Sequence, residues 1–262
     1  MLKNLLAHPL AKGMDLDSVE TTLRRRRIIR EKPFLRKLYA EWYRLLLNSV
    51  PDMVGGILEL GSGAGFLKDF NKAVITSEVF KCDGIDMQID ACNRTPFNNG
   101  ELKAILMTDV FHHLPNVGGG GENIGFFKES ARIVASGGVI SMIEPWVTPW
   151  SRLIYTKLHH EPFDTAAQNW EFESTGPLSG ANGALPWIVF ERDIEKFRHA
   201  HPEWLLESAR LMMPFAYLFS GGVSMRALFP GWGYPLIRGA ENLLGRFNKK
   251  IAMFAHIVLR KL

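Results

Sequence analysis

The sequence predicts an α/β fold, a mostly parallel sheet with helices on both faces. Three observations predict it. Strand-length apolar runs alternate with helix-length segments over residues 57–144. The run ILELGSGAGF at 57–66 passes from an apolar strand into a tight glycine turn. The chain has 262 residues, of which 47% are hydrophobic, enough to bury one large core.

Residues 1–18 show no clear period and read as loose chain. Residues 19–31 are charged and helical, and Pro33 resets the chain. In 34–48, Leu35, Leu38, Tyr39, Trp42, Leu45 and Leu46 recur three and four apart, as on an amphipathic helix. Pro51 leads into a strand at 57–60. After the glycine turn, 66–70 reads as the first turn of a helix. Strands follow at 73–78, at 84–90 and at 104–108, the last ending at Asp109. Residues 122–134 are helical, stopped by Ser136, Gly137 and Gly138. A strand at 139–143 ends at Glu144 and Pro145.

From 148 to 186 the alternation fails, as in an insertion laid over the sheet. Asp193 is expected to cap a helix at 194–200. Residues 204–212 and 251–259 read as strands, the second followed by the basic pair Arg260 and Lys261. Between them, 215–247 is rich in aromatics, Gly and Pro, with a helix at 236–246. There is no repeat and no linker. The expected division is an N-terminal helical extension at 1–50 and one domain at 51–262, with insertions at 147–186 and 213–247.

Charged residues make up 22% of the chain and the net charge is +4, well short of a nucleic-acid-binding tail. No nucleic-acid partner is expected. Basic residues gather at Arg24, Arg25, Arg26, Arg27 and Arg30. They read either as a solvated helix face or as a contact for an acidic partner or an anionic membrane surface. Cys82 and Cys92 make no framework of bridges and suit a reducing compartment. The N-terminal apolar patch is interrupted by Pro9 and Lys12 and lacks the length of a signal peptide. No apolar run approaches the roughly 20 residues of a membrane span. A cytoplasmic protein, peripheral to a membrane if it meets one, is the expectation.

The glycines narrow the chemistry. Gly61, Gly63 and Gly65 alternate, and Glu59 stands two residues before the first. A strand, a glycine turn and a helix N-terminus make a cradle for a nucleotide-type ligand. The dinucleotide fingerprint is G-x-G-x-x-G. Here the third glycine comes one residue early, which argues against a nicotinamide-dependent oxidoreductase.

This acid-x-G-x-G-x-G form resembles motif I of the class I S-adenosylmethionine (SAM)-dependent methyltransferases, and the resemblance runs from 57 to about 144. It implies a Rossmann-like, seven-stranded sheet whose last strand is antiparallel, with 204–212 and 251–259 as the final two strands. It places Gly61, Ser62, Gly63, Ala64 and Gly65 against the methionine part of the cofactor, with Glu59 near its amino end. Glu78 matches the acid that takes both ribose hydroxyls, with Asp86 as a rival. Asp90, in IDACNRTPF, matches the acid that contacts the adenine amino group, and Ala91 would offer its backbone to the ring. Thr95 replaces the leucine usual in that pattern. AILMTDVFHHL resembles the type 11 subgroup, so Asp109, Val110 and Phe111 would line the cofactor and face the acceptor.

Methyl transfer from a sulfonium is an in-line displacement, and a hydroxyl acceptor must also lose its proton. The candidate proton acceptors are His112 and His113, and His160 and Glu161 in KLHHEPFD, beside His159 and Asp164. The alternative is that one histidine of each pair packs and the other is solvated. No ligand pair has a recognised metal-binding spacing, so no metal is expected. The aromatic segments suit core packing or a lid over an apolar acceptor. The expected activity is SAM-dependent methyl transfer to a small-molecule or lipid-like acceptor, with O-methylation ahead of C- or N-methylation. The alternatives are a non-catalytic SAM-binding or scaffolding protein and, behind it, an oxidoreductase. No N-P-P-Y-like motif of base-modifying enzymes is present.

Overall fold

The N-terminal helices come first because they cover the site. In the computed structural model, which describes residues 7–11, 13, 15, 17–119, 124–159, 161–174, 176 and 178–262, helix α1 spans Val19–Glu31. Ser18 caps it by accepting the Thr21 N–H at 3.2 Å. Pro33 then sits in the first turn of α2 (Pro33–Asn48), where its missing N–H costs nothing. The buried stripe of α2 includes Phe34 and Tyr43 beside the expected residues, while Leu45 is only half-buried. This stripe shares one core with Ile57, Val74, Ala104, Leu106 and Val139 of the sheet. Trp42 has no exposed surface and stacks on Tyr217, 5.9 Å between ring centroids. Trp42→Ala is expected to cost about 3–5 kcal/mol of unfolding free energy, read from urea denaturation. A loss below ~1 kcal/mol would show that α2 is not integral to the core.

The sheet has seven strands: β1 (Gly56–Leu60), β2 (Val74–Glu78), β3 (Met87–Gln88), β4 (Leu102–Thr108), β5 (Val134–Pro145), β6 (Trp204–Met212) and β7 (Phe254–Lys261). Their order is β3-β2-β1-β4-β5-β7-β6. The first five are parallel, and β7 runs antiparallel to both neighbours. This is the Rossmann-like, class I methyltransferase sheet that the resemblance implied. The chain reverses its direction of travel across the sheet between β1 and β4. Ligands of such sheets bind at the carboxyl ends of the strands beside that point.

Several local expectations are corrected. No α-helix begins at 66–70. Two short 3-10 turns, Ser62–Ala64 and Leu67–Asp69, carry the chain to β2. The face where a crossover helix would lie is filled by α2, whose Tyr43 ring meets Phe66 and Phe70 at 5.0 and 5.9 Å. The 84–90 strand shrinks to the edge pair Met87–Gln88. Helix α3 is Phe126–Ile133, and residues 120–123 lie outside the described residues. Ser136, Gly137 and Gly138 do not stop a helix but form an irregularity inside β5, where the register with β4 shifts. Arg260 and Lys261 belong to β7 rather than to a tail.

In the 147–186 insertion, α4 (Pro149–Leu158) starts with a reciprocal cap between Thr148 and Ser151. Helix α5 (Ile194–Ala200) lies as expected, but the Asp193 side chain does not cap it. Asp193 instead accepts from Arg192 and from Trp170 Nε1. Helix α6 spans Tyr234–Leu243. Among the described residues no helix is long and apolar enough to cross a membrane.

Candidate active site

The glycine turn is held from three sides. Gly61 ends β1 at φ +68°, a left-handed conformation, and a Cβ there would lie 2.4 Å from Val110 Cγ2. The Gly63 N–H donates to Glu78 Oε2 at 3.0 Å, and its carbonyl accepts from Arg26 Nε at 2.7 Å. The Phe66 N–H donates to the Tyr43 hydroxyl at 3.1 Å. Glu78 also accepts the Val79 N–H through Oε1 at 2.9 Å. Burial raises the Glu78 carboxyl above its ordinary pKa.

Above this turn opens a cavity of about 230 Å³. Of the expected cofactor residues, Gly61, Ala64, Glu78, Asp90, Ala91, Asp109 and Val110 line it. Glu59, Ser62, Gly63, Gly65 and Phe111 stand behind its wall. Glu59 is buried, and that burial pushes its carboxyl up to about 7. Ser62 Oγ donates inward to the Glu59 carbonyl at 3.1 Å. Gly65 packs under the Tyr43 hydroxyl. Phe111 is a core residue among Phe126, Phe127 and Phe190. Asp86 is not at the cavity. It pairs with Lys68 and accepts the Thr76 N–H, which leaves Glu78 as the acid at the end of β2.

The sequence did not single out Thr22, Arg25, Tyr39 or Thr108 as lining residues, yet they face this cavity, together with Tyr217 of the aromatic segment expected to pack or to cover the acceptor. Arg25 Nε and Thr108 Oγ1 are buried polar atoms with no hydrogen-bond partner among the described residues. The arginine run therefore does not act as one face. Arg24 pairs with Glu20, Arg27 with Glu31, Arg26 grips the glycine turn, and Arg25 turns to the cavity. The signal in the sequence was helical spacing: Thr22, Arg25 and Arg26 share one face of α1.

A histidine–carboxylate cluster also lines the cavity, and it brings His159 together with His112 and His113 around Glu161. His112 and His113 sit on a 3-10 turn after β4, their ring centroids 4.3 Å apart. Glu144, at the end of β5, accepts the Val110 and Phe111 N–H groups at 2.8 Å each and bonds His112 Nδ1 at 2.6 Å. Glu161 lies 3.5 Å from His112 Nε2, 3.9 Å from His113 Nε2 and 3.6 Å from His159 Nδ1. His113 Nδ1 is 3.0 Å from the Gly180 carbonyl. His160 lies outside the described residues. Asp164 is apart from the cluster and accepts the Ala166 N–H. Glu144 was read only as the end of a strand, and its anchoring role has no local signature.

The electrostatics separate these groups. Burial alone would lower His112, but Glu144 and Glu161 reverse it and raise the imidazole to about 10. Burial, reinforced by charged His112, lowers His113 to about 4. Burial opposes ionisation of Glu161, yet the three histidines hold it well below the carboxylate range. Asp109 has φ +55° and lines the cavity. Burial pushes its carboxyl up to about 8.

Because that value lies above the unfolded one, Asp109 contributes stability fully below about pH 4 and loses it as pH rises through about 8. Asp109→Asn keeps a residue tolerant of the left-handed backbone and removes that loss. The variant is expected to exceed the parent by at least about 1 kcal/mol at pH ~9 and to match it near pH ~4, in urea unfolding. Equal stabilities at both would show that Asp109 is ionised in the folded protein.

No protein-family model matches the chain, and no curated protein matches it. Among solved structures, it is similar to geranyl diphosphate C-methyltransferase from Streptomyces coelicolor, at 13% identity and a TM-score of 0.47, over 97% of this chain and 88% of that one. It is also similar to an S-adenosylmethionine-dependent methyltransferase from Mesorhizobium loti, at 13% identity and a TM-score of 0.45, over 85% of this chain and 98% of that one. Likenesses this distant say nothing of activity.

Proposed function

We propose that the chain is a SAM-dependent methyltransferase acting on the hydroxyl of a small-molecule or lipid-like acceptor. One observation carries this reading: the glycine turn with Glu78 and the His113–Glu161 pair line one and the same cavity. The residues of the first group fit the cofactor. Gly61 leaves no room for a Cβ, so backbone can come close to a ligand. Glu78 spends one lone pair of each oxygen on a backbone N–H and keeps others for a ribose diol. The unpartnered Arg25 Nε suits the cofactor carboxylate. Asp90 and Ala91 would hold the adenine.

Bound SAM would supply an electrophilic methyl group at a sulfonium. What remains for the protein is to orient the acceptor, exclude water and take up a proton. The Gly180 carbonyl can only accept, so His113 carries its proton on Nδ1 and presents a lone pair at Nε2. Nε2 is the proton-accepting atom, and Glu161 stabilises the imidazolium that forms. His112, held by Glu144, is the fixed neighbour. Tyr39, Tyr155, Phe163, Tyr217 and Phe254 give the cavity apolar walls, which suit an apolar acceptor.

The test is calorimetric titration with SAM, S-adenosylhomocysteine and NAD. Micromolar binding of the two sulfur ligands and none of NAD is expected. Binding of NAD in their place would replace this reading with an oxidoreductase. Folded protein that binds none of the three would end it.

A further inference from the structure

We propose that His112, His113 and Glu161 form a site for one divalent transition-metal cation of the zinc class in the wall of the cavity. The three side chains each offer a ligand atom, and these atoms all lie within 4.8 Å of one another. The contacts of Glu161 with the two Nε2 atoms measure 3.5 and 3.9 Å. Ligands held about 2.1 Å from a tetrahedral metal stand about 3.4 Å apart. The two contacts are made by Oε2 and Oε1 respectively and exceed that spacing by about 0.5 Å at most, so a bound ion would draw the side chains together by a small shift without rearranging the fold.

The outer contacts point the same way. A metal-binding histidine presents one nitrogen to the ion and donates the other N–H to a carboxylate or carbonyl. His112 Nδ1 meets Glu144 at 2.6 Å, and His113 Nδ1 meets the Gly180 carbonyl at 3.0 Å. Glu144 is itself fixed by the Val110 and Phe111 N–H groups. Both rings are thus locked with Nε2 turned toward one carboxylate. A proton on one Nε2 serves one contact, whereas a cation serves both.

Two imidazoles and one carboxylate are a donor set for zinc, cobalt, manganese or iron(II), not for a hard cation such as calcium. All three side chains line the cavity, so the fourth position opens into it, as in sites that bind a water or a substrate oxygen. Resting on the methyltransferase reading, an acceptor hydroxyl at that position would lose its proton more readily, and the cation would take over the part assigned to His113 Nε2. Spacing in the sequence missed this site because its ligands are two adjacent histidines and a glutamate on a distant segment.

Chelator-treated, tag-free protein is titrated with Co²⁺, reading visible absorption, and Zn²⁺ is then added as competitor. One Co²⁺ per chain with an intense tetrahedral-type band, displaced by Zn²⁺, is the expected result. Glu161→Ala and His113→Ala are each expected to weaken Co²⁺ at least tenfold. Glu144→Gln, which touches no metal, is expected to weaken it about 10–100-fold. SAM titrations of the same samples report on folding and on the cofactor reading separately. SAM binding without saturable Co²⁺ binding would overturn the metal site alone. Co²⁺ binding unchanged in both ligand variants would also overturn it. Co²⁺ bound as expected with no affinity for SAM would uphold the site and remove the methyltransferase reading.

Discussion

Gly63→Val is expected to weaken SAM binding at least about 100-fold, which is about 2.7 kcal/mol. Gly63 does not line the cavity, so the effect is transmitted. A Cβ at this position would lie 2.3 Å from Thr22 Cγ2 and 2.5 Å from Glu78 Oε2. Both neighbours face the cavity, Thr22 from α1 and Glu78 from the end of β2. A valine must push them apart. It thereby disturbs the Gly63 N–H bond that aims Glu78 and the Arg26 contact that ties α1 to the turn. Calorimetry with SAM and S-adenosylhomocysteine checks this, with near-ultraviolet circular dichroism to confirm folding. Gly239→Ala is the control, since a Cβ there meets nothing within 4 Å. Parental affinity in folded Gly63→Val would show that the turn is not the cofactor cradle.

The second large effect is expected at the histidine cluster of the same cavity. His113→Ala should lower the rate of methyl transfer about 10²–10⁴-fold, the range for loss of a positioned proton acceptor. SAM affinity should stay within about threefold, because the glycine turn is untouched. His113 is the member of the cluster with a fixed tautomer and a nitrogen turned to the cavity. His112 is pinned beneath it by Glu144. Transfer of label from radiolabelled SAM into acceptor is the measurement, under single turnover so that product release does not mask it. An undiminished rate would assign the cluster a structural role.

The two parts of the site differ in how far they could be read from the chain. The glycine turn is a local object. Its residues are contiguous, and the backbone conformation at Gly61 demands glycine whatever surrounds it. Glu78 could be placed because a strand and its end are also local. Which turn residues would show their surface could not be placed. Gly63 and Gly65 are covered by Thr22 and Tyr43, residues of helices that precede the turn in the chain.

Arg25 shows the same limit. Helical spacing groups it with Thr22 and Arg26 on one face of α1 but does not say which way that face turns. Only the docking of α1 on the glycine turn sends it inward while Arg24 and Arg27 pair on the surface.

The strands read at 73–78 and 104–108 fall on β2 and β4 because short apolar runs bounded by polar residues are properties of the strand itself, and the one read at 204–212 falls on β6. The 66–70 segment was misread because its helical pattern competes with α2 for one face of the sheet, and α2 holds it through Tyr39, Trp42 and Tyr43. The histidines were named from the sequence. The meeting of His112, His113 and His159 on Glu161 required the end of β4, the end of β5 and a distant segment of the insertion to come together. The sequence by itself determined the α/β alternation, the glycine turn and the residue types available for proton transfer, because each depends on neighbours in the chain. The tertiary structure decided which of those residues share the cavity and what perturbs their charge. Burial and long-range contacts set both, and no local spacing records either.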